Sequence, residues 1–356
     1  MRRLAATLPT VAAIALAGPA AAAPLFGYQD NTFRDFPSRG VTPAQSAGFA
    51  KADGATVHRF LLDWQYAQPT QGGPIDFAPY DPMYDQLYRV RGIRPLIVLM
   101  KAPPWAWDPG TSTCTGNCHV PPGRSHMADW RAMAAAVAAR YPGAAGIEVW
   151  NEPNLRPFWQ TTAGPDAQWF EEVLANAYQG IKSANPSMPV IAGGYSNNMD
   201  DGAPIGTSLA TFLDRVYKAG GKQYMDAIGF HPYPAADRLN IGPGSVFQKS
   251  FDQVRQVAAA NGDAGRRLWV TEVGYSTYDD YTEQQQADGL VAIYRKVMPM
   301  SDVDALIVHA LIDPPGPEAG FGVVQPLHPP LGLFRPKPAY CALAAERGVP
   351  KPTGCV

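Results

Sequence analysis

The chain has 356 residues, enough for one large domain or two small ones. Its formal net charge is −2, which gives no support to a nucleic acid or another polyanion as partner. Hydrophobic residues make up 46% and charged residues 17%, a balance that suits a large packed core; the 16 Tyr, 14 Phe and 8 Trp can fill that core or stack on flat apolar ligand faces.

The first thirty residues read MRRLAATLPTVAAIALAGPAAAAPLFGYQD. Arg2 and Arg3 precede an apolar stretch at 11–17, and Ala20-Ala21-Ala22 is a small-residue cleavage pattern. The pattern predicts a secretory signal peptide over 1–23, leaving a single domain over 24–356 that is secreted to the extracellular space. An uncleaved anchor helix is the alternative, but the apolar stretch is short for a full span. The arginine pair also fits twin-arginine export. No later segment is apolar enough to cross a membrane, so no membrane partner is expected.

Past the signal peptide, short apolar runs alternate with longer amphipathic ones. Strands are expected near 25–29, 56–61, 94–100, 146–150, 189–193, 226–230, 268–272 and 305–309. Helices are expected at 42–52, 79–91, 126–140, 166–184, 207–219, 246–260, 282–298 and 339–347. Each strand is followed by a helix, and several strands are nearly unbroken apolar runs, as parallel strands buried on both faces are. That succession predicts an α/β protein with the (β/α)8 architecture of a TIM barrel. A doubly wound open sheet is the alternative, but GYQDNTF after the first strand is no glycine-rich phosphate turn.

Four cysteines, Cys114, Cys118, Cys341 and Cys355, allow three disulfide connectivities, and the local pairs Cys114–Cys118 and Cys341–Cys355 are the simplest. CTGNCH also reads as two thiolates plus His119 for zinc, but no fourth ligand lies nearby.

Catalysis in a barrel sits at the C-terminal strand ends. There the sequence places Arg59 on strand two, KAPPWAW after strand three, Asn151-Glu152 after strand four, His231 and Tyr233 after strand six, Glu272 on strand seven and His309 on strand eight. Strands four and seven are not adjacent, so Glu152 and Glu272 can face each other across the mouth. Two facing carboxylates, one protonated and one ionised, are the minimum equipment for cleaving a glycosidic bond. A lone glutamate at a strand end is more simply a solvated one; the pair, with Asn-Glu-Pro behind one member, argues otherwise.

VWNEPN and LWVTEVGY resemble the acid/base and nucleophile strands of clan A glycoside hydrolases, the retaining (β/α)8 barrels, with family 39 the nearest group and family 5 a near relative. VHRFLLDWQYAQP, KAPPWAW and the segments Phe321–Val324 and Lys337–Tyr340 extend the likeness over most of 25–345. The resemblance implies Glu152 as general acid/base, Glu272 as nucleophile and Asn151 as the ligand of the sugar 2-hydroxyl. It further implies Tyr233 as the nucleophile's orienting hydroxyl, His231 as its neighbour, Arg59 as its support and Trp105 and Trp107 as sugar-stacking walls. His231 also reads as a core histidine, Arg59 as a structural ion-pair partner, and Trp105 and Trp107 as core packing. Trp64 reads equally as core or wall, and alternation turns His58 away from Arg59. Two departures stand out. Met100-Lys101 replaces the histidine that many family 5 relatives carry, and His309 replaces the tryptophan that floors the central subsite in many clan members.

The resemblance implies double displacement, with no metal and no cofactor, on a polysaccharide or oligosaccharide such as a β-xyloside, β-glucan, β-mannan or exopolysaccharide. A non-catalytic polysaccharide-binding barrel and a transglycosylase using the same glutamates are the alternatives. No H-E-x-x-H, Walker loop or G-x-S-x-G elbow is present to support another hydrolase chemistry. The sequence carries no signal for an oligomeric state.

Overall fold

Strand β3, Arg94–Met100 (RPLIVLM), is buried from Pro95 onward on both faces, so the chain covers this strand on each side. The computed structural model describes residues 23–31, 40–201, 204–234, 238–278, 281–328 and 333–355; the expected signal peptide falls almost wholly outside them. Around β3 stand β1 (Leu25–Gln29), β2 (Val57–Asp63), β4 (Gly146–Val149), β5 (Val190–Ser196), β6 (Ala227–His231), β7 (Arg267–Val273) and β8 (Val303–His309). They close into one barrel in sequence order, every neighbour parallel, with β8 returning to β1. This is the (β/α)8 barrel the alternating pattern predicts.

The outer layer is α1 (Pro43–Ala52), α2 (Asp81–Tyr84), α3 (Met127–Arg140), α4 (Ala167–Ala184), α5 (Leu209–Lys218), α6 (Val246–Ala260), α7 (Glu283–Val297) and α8 (Pro338–Glu346). Their starts are written in the sequence. Thr42 and Thr282 cap α1 and α7 through capping boxes with Gln45 and Gln285. Asp166, Ser208 and Ser245 cap α4, α5 and α6 by accepting from first-turn amides. The main core lies between these helices and the outer strand faces.

Three features depart from the expected layout. The helix expected over 79–91 is short and passes into a π-turn at Asp85–Arg89, which seats the Tyr88 ring beside Tyr84 and over the bare backbone of Gly143. A one-turn helix, Trp64–Ala67, follows β2. Between β8 and α8 an antiparallel hairpin forms from β9 (Val324–His328) and β10 (Leu333–Pro336); Pro326 and Pro336 hid it from a strand reading.

Both local disulfides are present, Cys114–Cys118 and Cys341–Cys355. The zinc reading of CTGNCH falls with the first, because each sulfur is bonded to the other. At the C-terminal end of the chain Arg347 pairs with buried Asp53 at 2.6 Å and lies 4.1 Å from the Phe26 ring centroid.

The barrel interior is layered. Val57, Leu96, Ile191, Ala227, Trp269, Ala305 and Ile307 form an apolar plug separate from the main core. Alternation along a strand then brings the next inward position above the plug. Val57 is followed inward by Arg59, Ile307 by His309 and Ala227 by Gly229 and His231. The sequence thus changes from apolar to ionisable one layer below the mouth.

Candidate active site

Arg59 is fully buried and organises that polar layer. Its Nε donates to Glu148 Oε2 at 2.6 Å and its Nη2 to Asn151 Oδ1 at 2.8 Å. Its Nη1 donates to both Gln29 and Glu272. A guanidinium without solvent is tolerated only when carboxylates and acceptors surround it this closely. Arg59 is thus an ion-pair partner of Glu148 and Glu272 alike.

β4 delivers Asn151 and Glu152 through a strained turn. Trp150 and Glu152 adopt positive φ, 75° and 46°, in the left-handed region that costs a side chain energy. The surroundings enforce it. Glu152 N donates to Gly194 O at 3.0 Å, and Trp150 Nε1 to Phe158 O at 2.7 Å. Asn154, two residues on, donates to Ser196 O and Thr207 O and accepts from Ser196 N. The Asn-Glu-Pro-Asn stretch is thus pinned to β5 and to the loop after it.

Glu152 and Glu272 meet at His231. Its Nδ1 lies 3.0 Å from Glu152 Oε1 and 3.6 Å from Glu272 Oε2. The Tyr233 hydroxyl donates to Glu272 Oε2 at 3.1 Å. Burial by itself would raise the Glu272 carboxyl, but the charges of His231, Arg59 and His309 and the Tyr233 hydroxyl outweigh it and hold the group at about 2. Glu272 is therefore ionised through the whole ordinary pH range.

These groups open into a cavity of about 560 Å³ at the C-terminal mouth of the barrel. Asn151, Glu152, Tyr233, Glu272 and His309 all line it. His309 Nε2 bonds Glu318 at 2.8 Å, and its ring lies against Phe321. Burial alone would lower His309; the bond to Glu318 and the nearby charge of Glu272 outweigh it, so the ring keeps its proton above the usual histidine range.

Trp105 and Trp107 are not brought into this cavity. Trp105 packs edge-on against buried Trp64 and donates to Gln68 O at 3.0 Å. Trp107 donates to Ala102 O at 2.8 Å. Each indole is used to fix the loop after β3, and Trp64 is core. The aromatic lining comes instead from Phe158, Tyr233, Phe321 and His119, the last stacked on Phe158. His58 lies outside the site, and burial pushes it down to about 3, which keeps it uncharged.

Several site residues carry little sequence signal. Asn117 arrives on an irregular loop and Phe158 and Glu318 on one-turn 3-10 segments, where no period marks them; the sequence marks His119 only as a zinc candidate and Phe321 only as the start of a segment resembling family 39. Glu148 had a signal, a carboxylate inside the apolar run GIEVW. Lys101, at a left-handed φ of 57°, follows β3 and pairs with Asp63 at 3.2 Å beside the cavity wall.

No protein-family model and no curated protein matches the chain. Solved structures do. A family 39 glycoside hydrolase from the gut symbiont Bacteroides cellulosilyticus WH2 superposes with a TM-score of 0.68 at 22% identity, over 91% of this chain. This chain covers 63% of that protein, less than two thirds of its length. A monomeric β-xylosidase from Caulobacter crescentus CB15 gives a TM-score of 0.61 at 23% identity, over 91% of this chain and 69% of that one. A GH39 enzyme from Xanthomonas axonopodis pv. citri gives 0.64 at 20% identity, over 94% and 73%. At these identities the likeness establishes a shared (β/α)8 barrel across nearly the whole chain.

Proposed function

We propose that the chain is a secreted retaining glycoside hydrolase that cleaves β-glycosidic bonds in oligo- or polysaccharides by double displacement. The observation that carries the reading is one ring nitrogen, His231 Nδ1, within 3.0 Å of Glu152 and 3.6 Å of Glu272. An inverting pair stands about 6.5–9.5 Å apart to admit a water between the carboxylates, whereas a retaining pair stands at about 5–5.5 Å. A single atom reaching both carboxylates favours the closer pair.

Glu272, ionised and oriented by Arg59 and Tyr233, attacks the anomeric carbon. The glycosidic C–O bond breaks, and Glu152 gives its proton to the departing oxygen. Water then attacks the glycosyl-enzyme, Glu152 takes up its proton, and Glu272 leaves as carboxylate, so the anomeric configuration is retained overall. Asn151, held by Arg59, is placed to bond a sugar hydroxyl beside the reacting carbon.

The lining also favours an uncharged glycan. Asp30, Glu272 and Glu318 put three carboxylates on the wall against one protonated His309, and among the described residues no lysine or arginine lines it. A uronic acid would meet repulsion there. The xyloside- and glucoside-type substrates in the names of the structural neighbours belong to the uncharged class.

The test is reducing-end release from a panel of neutral and uronate-containing polysaccharides and aryl β-glycosides, comparing the mature protein with Glu272→Gln. Release from neutral substrates by the former only, with the retained anomer seen first by NMR, supports the reading. Equal release by both proteins, or the inverted anomer as first product, refutes it. New oligosaccharides on adding acceptor sugars would make transfer the main reaction.

A further inference from the structure

We propose that Asn117 and His119 form a hydroxyl-reading wall of the cavity, one donating and one accepting, which selects the neutral sugar that binds there. The inference rests on the hydrolase reading and assigns side chains that choose its substrate.

Both residues line the cavity that holds Glu152 and Glu272. Asn117 sits on the loop closed by Cys114–Cys118. Its Oδ1 accepts from Gln65 Nε2 at 2.9 Å and from Lys101 Nζ at 3.2 Å. An ammonium has donors only, so the amide cannot turn its NH2 toward Lys101. Lys101 is itself buried and held by Asp63 at 3.2 Å, and its carbonyl accepts from Gln65 N at 2.8 Å. The oxygen of Asn117 is therefore occupied by the scaffold. Its NH2 has no partner among the described residues, and it is the polar group that Asn117 can still offer to the cavity.

His119 is built in the opposite sense. Its Nδ1 lies 2.9 Å from Pro157 O, a carbonyl that can only accept, so Nδ1 carries the ring proton. Burial and the charge of Lys101 hold the ring below the usual histidine range, which leaves it uncharged. Nε2 is then a bare acceptor with no partner among the described residues. The ring is well fixed. His119 N donates to Gln160 Oε1 at 2.8 Å, its carbonyl accepts from Gln160 N at 2.9 Å, and the imidazole stacks on Phe158 with centroids 5.2 Å apart. A hydroxyl can serve both groups, because it accepts from an NH2 and donates to a ring nitrogen. A carboxylate or an ester oxygen has no hydrogen to give to Nε2. One fixed donor and one fixed acceptor beside an aromatic stack thus suit a neutral sugar with free hydroxyls. Such a wall rejects an analogue lacking the hydroxyl, since its own polar group is then left unpaired.

The test titrates xylobiose, cellobiose and mannobiose by calorimetry into the Glu272→Gln protein, in which turnover is blocked. At least one should bind at millimolar concentration. Asn117→Asp keeps an oxygen for Lys101 and Gln65 but has no NH2; His119→Phe keeps the stack on Phe158 but has no acceptor. Each, added to Glu272→Gln, should weaken that binding roughly fivefold or more. In the active enzyme each should raise KM with kcat nearly unchanged. Monodeoxy forms of the bound sugar separate recognition from structure. Loss of one particular hydroxyl should weaken binding to the original wall by a similar factor and cost the matching variant nothing further. A merely structural role would weaken the parent sugar and every deoxy form alike. In 15N NMR the His119 ring should carry its proton on Nδ1, and its Nε2 signal should shift when the sugar binds, which decides the proposal even if neither variant folds. Unchanged affinity in either variant, an equal loss for every deoxy sugar, an Nε2–H tautomer, or no binding of any of the three disaccharides overturns it. If the unmodified protein cleaves no glycoside while a disaccharide binds and both variants lose it, the hydrolase reading fails and the wall stands.

Discussion

Arg59 holds Glu272 and Asn151 with one guanidinium, Nη1 donating to the carboxylate and Nη2 to Asn151 Oδ1 at 2.8 Å. Arg59→Ala leaves Glu148 buried without its ion-pair partner and takes from Glu272 one of the charges that hold it ionised. The expected cost is about 3–5 kcal/mol in urea denaturation. Arg59→Lys keeps the charge and recovers part of that stability, but a point charge cannot fork to Glu148, Gln29, Glu272 and Asn151 together, so kcat/KM on a responding glycoside stays depressed. Full activity in Arg59→Lys would show that the fork is not needed.

Glu272 sets a pH dependence with a definite sign. Its folded value of about 2 lies below the ordinary 4.5, so its ionised contacts stabilise the fold fully above pH 4.5. That contribution, about 3 kcal/mol for this shift, is lost as pH falls from 4.5 toward 2. Denaturation at a series of pH values should show stability dropping across this window in the unmodified protein and a shallower drop in Glu272→Gln. Parallel curves would assign the acid sensitivity to other groups.

His309 runs the opposite way. Its folded value is raised by Glu318 and Glu272 after burial is overcome. The stabilisation is complete below the unfolded histidine value and disappears as pH rises through the folded one. Glu318→Gln removes the partner 2.8 Å away, so the His309 ring should lose its proton at lower pH in an NMR titration. An unmoved titration would mean that Glu272 alone holds that proton.

The two disulfides divide stability from binding. Cys341–Cys355 closes a segment of sequence separation 14, and its double serine variant should lose about 3 kcal/mol with KM unchanged. Cys114–Cys118 closes a separation of 4 on the loop that presents Asn117 and His119 to the cavity. Its double serine variant should raise KM while leaving the denaturation midpoint nearly in place. Identical behaviour of the two variants would contradict the division.

The barrel was legible because its strands are apolar runs and its helices show apolar spacing near 3.6 between flanking Gly, Pro or Asn, signals that act over a few neighbouring residues. The strand-end glutamates were legible for the same reason: a strand end is a local event. Trp105 and Trp107 were harder, since a tryptophan in a proline-rich loop serves a cleft or a scaffold equally well. Only the carbonyls of Gln68 and Ala102, which capture their ring nitrogens, decide it. Glu318 reaches the site by way of a loop whose course depends on distant anchors such as Lys337 on Gly320 and Gln286 on Phe321, and no pattern within the loop announces it.

The seam of the barrel joins β1 to β8, Leu25 beside Ala305 and Gln29 beside His309, and Arg347 clasps Asp53 behind it. Neighbours in space here are near opposite ends of the chain. During synthesis the first strand therefore waits, one edge unpaired, until β8 has left the ribosome. Gln29 and His309 are also two of the residues around Glu272, so the layer around that carboxylate closes only with β8, and a chain lacking β8 would carry both glutamates with no complete wall to hold them.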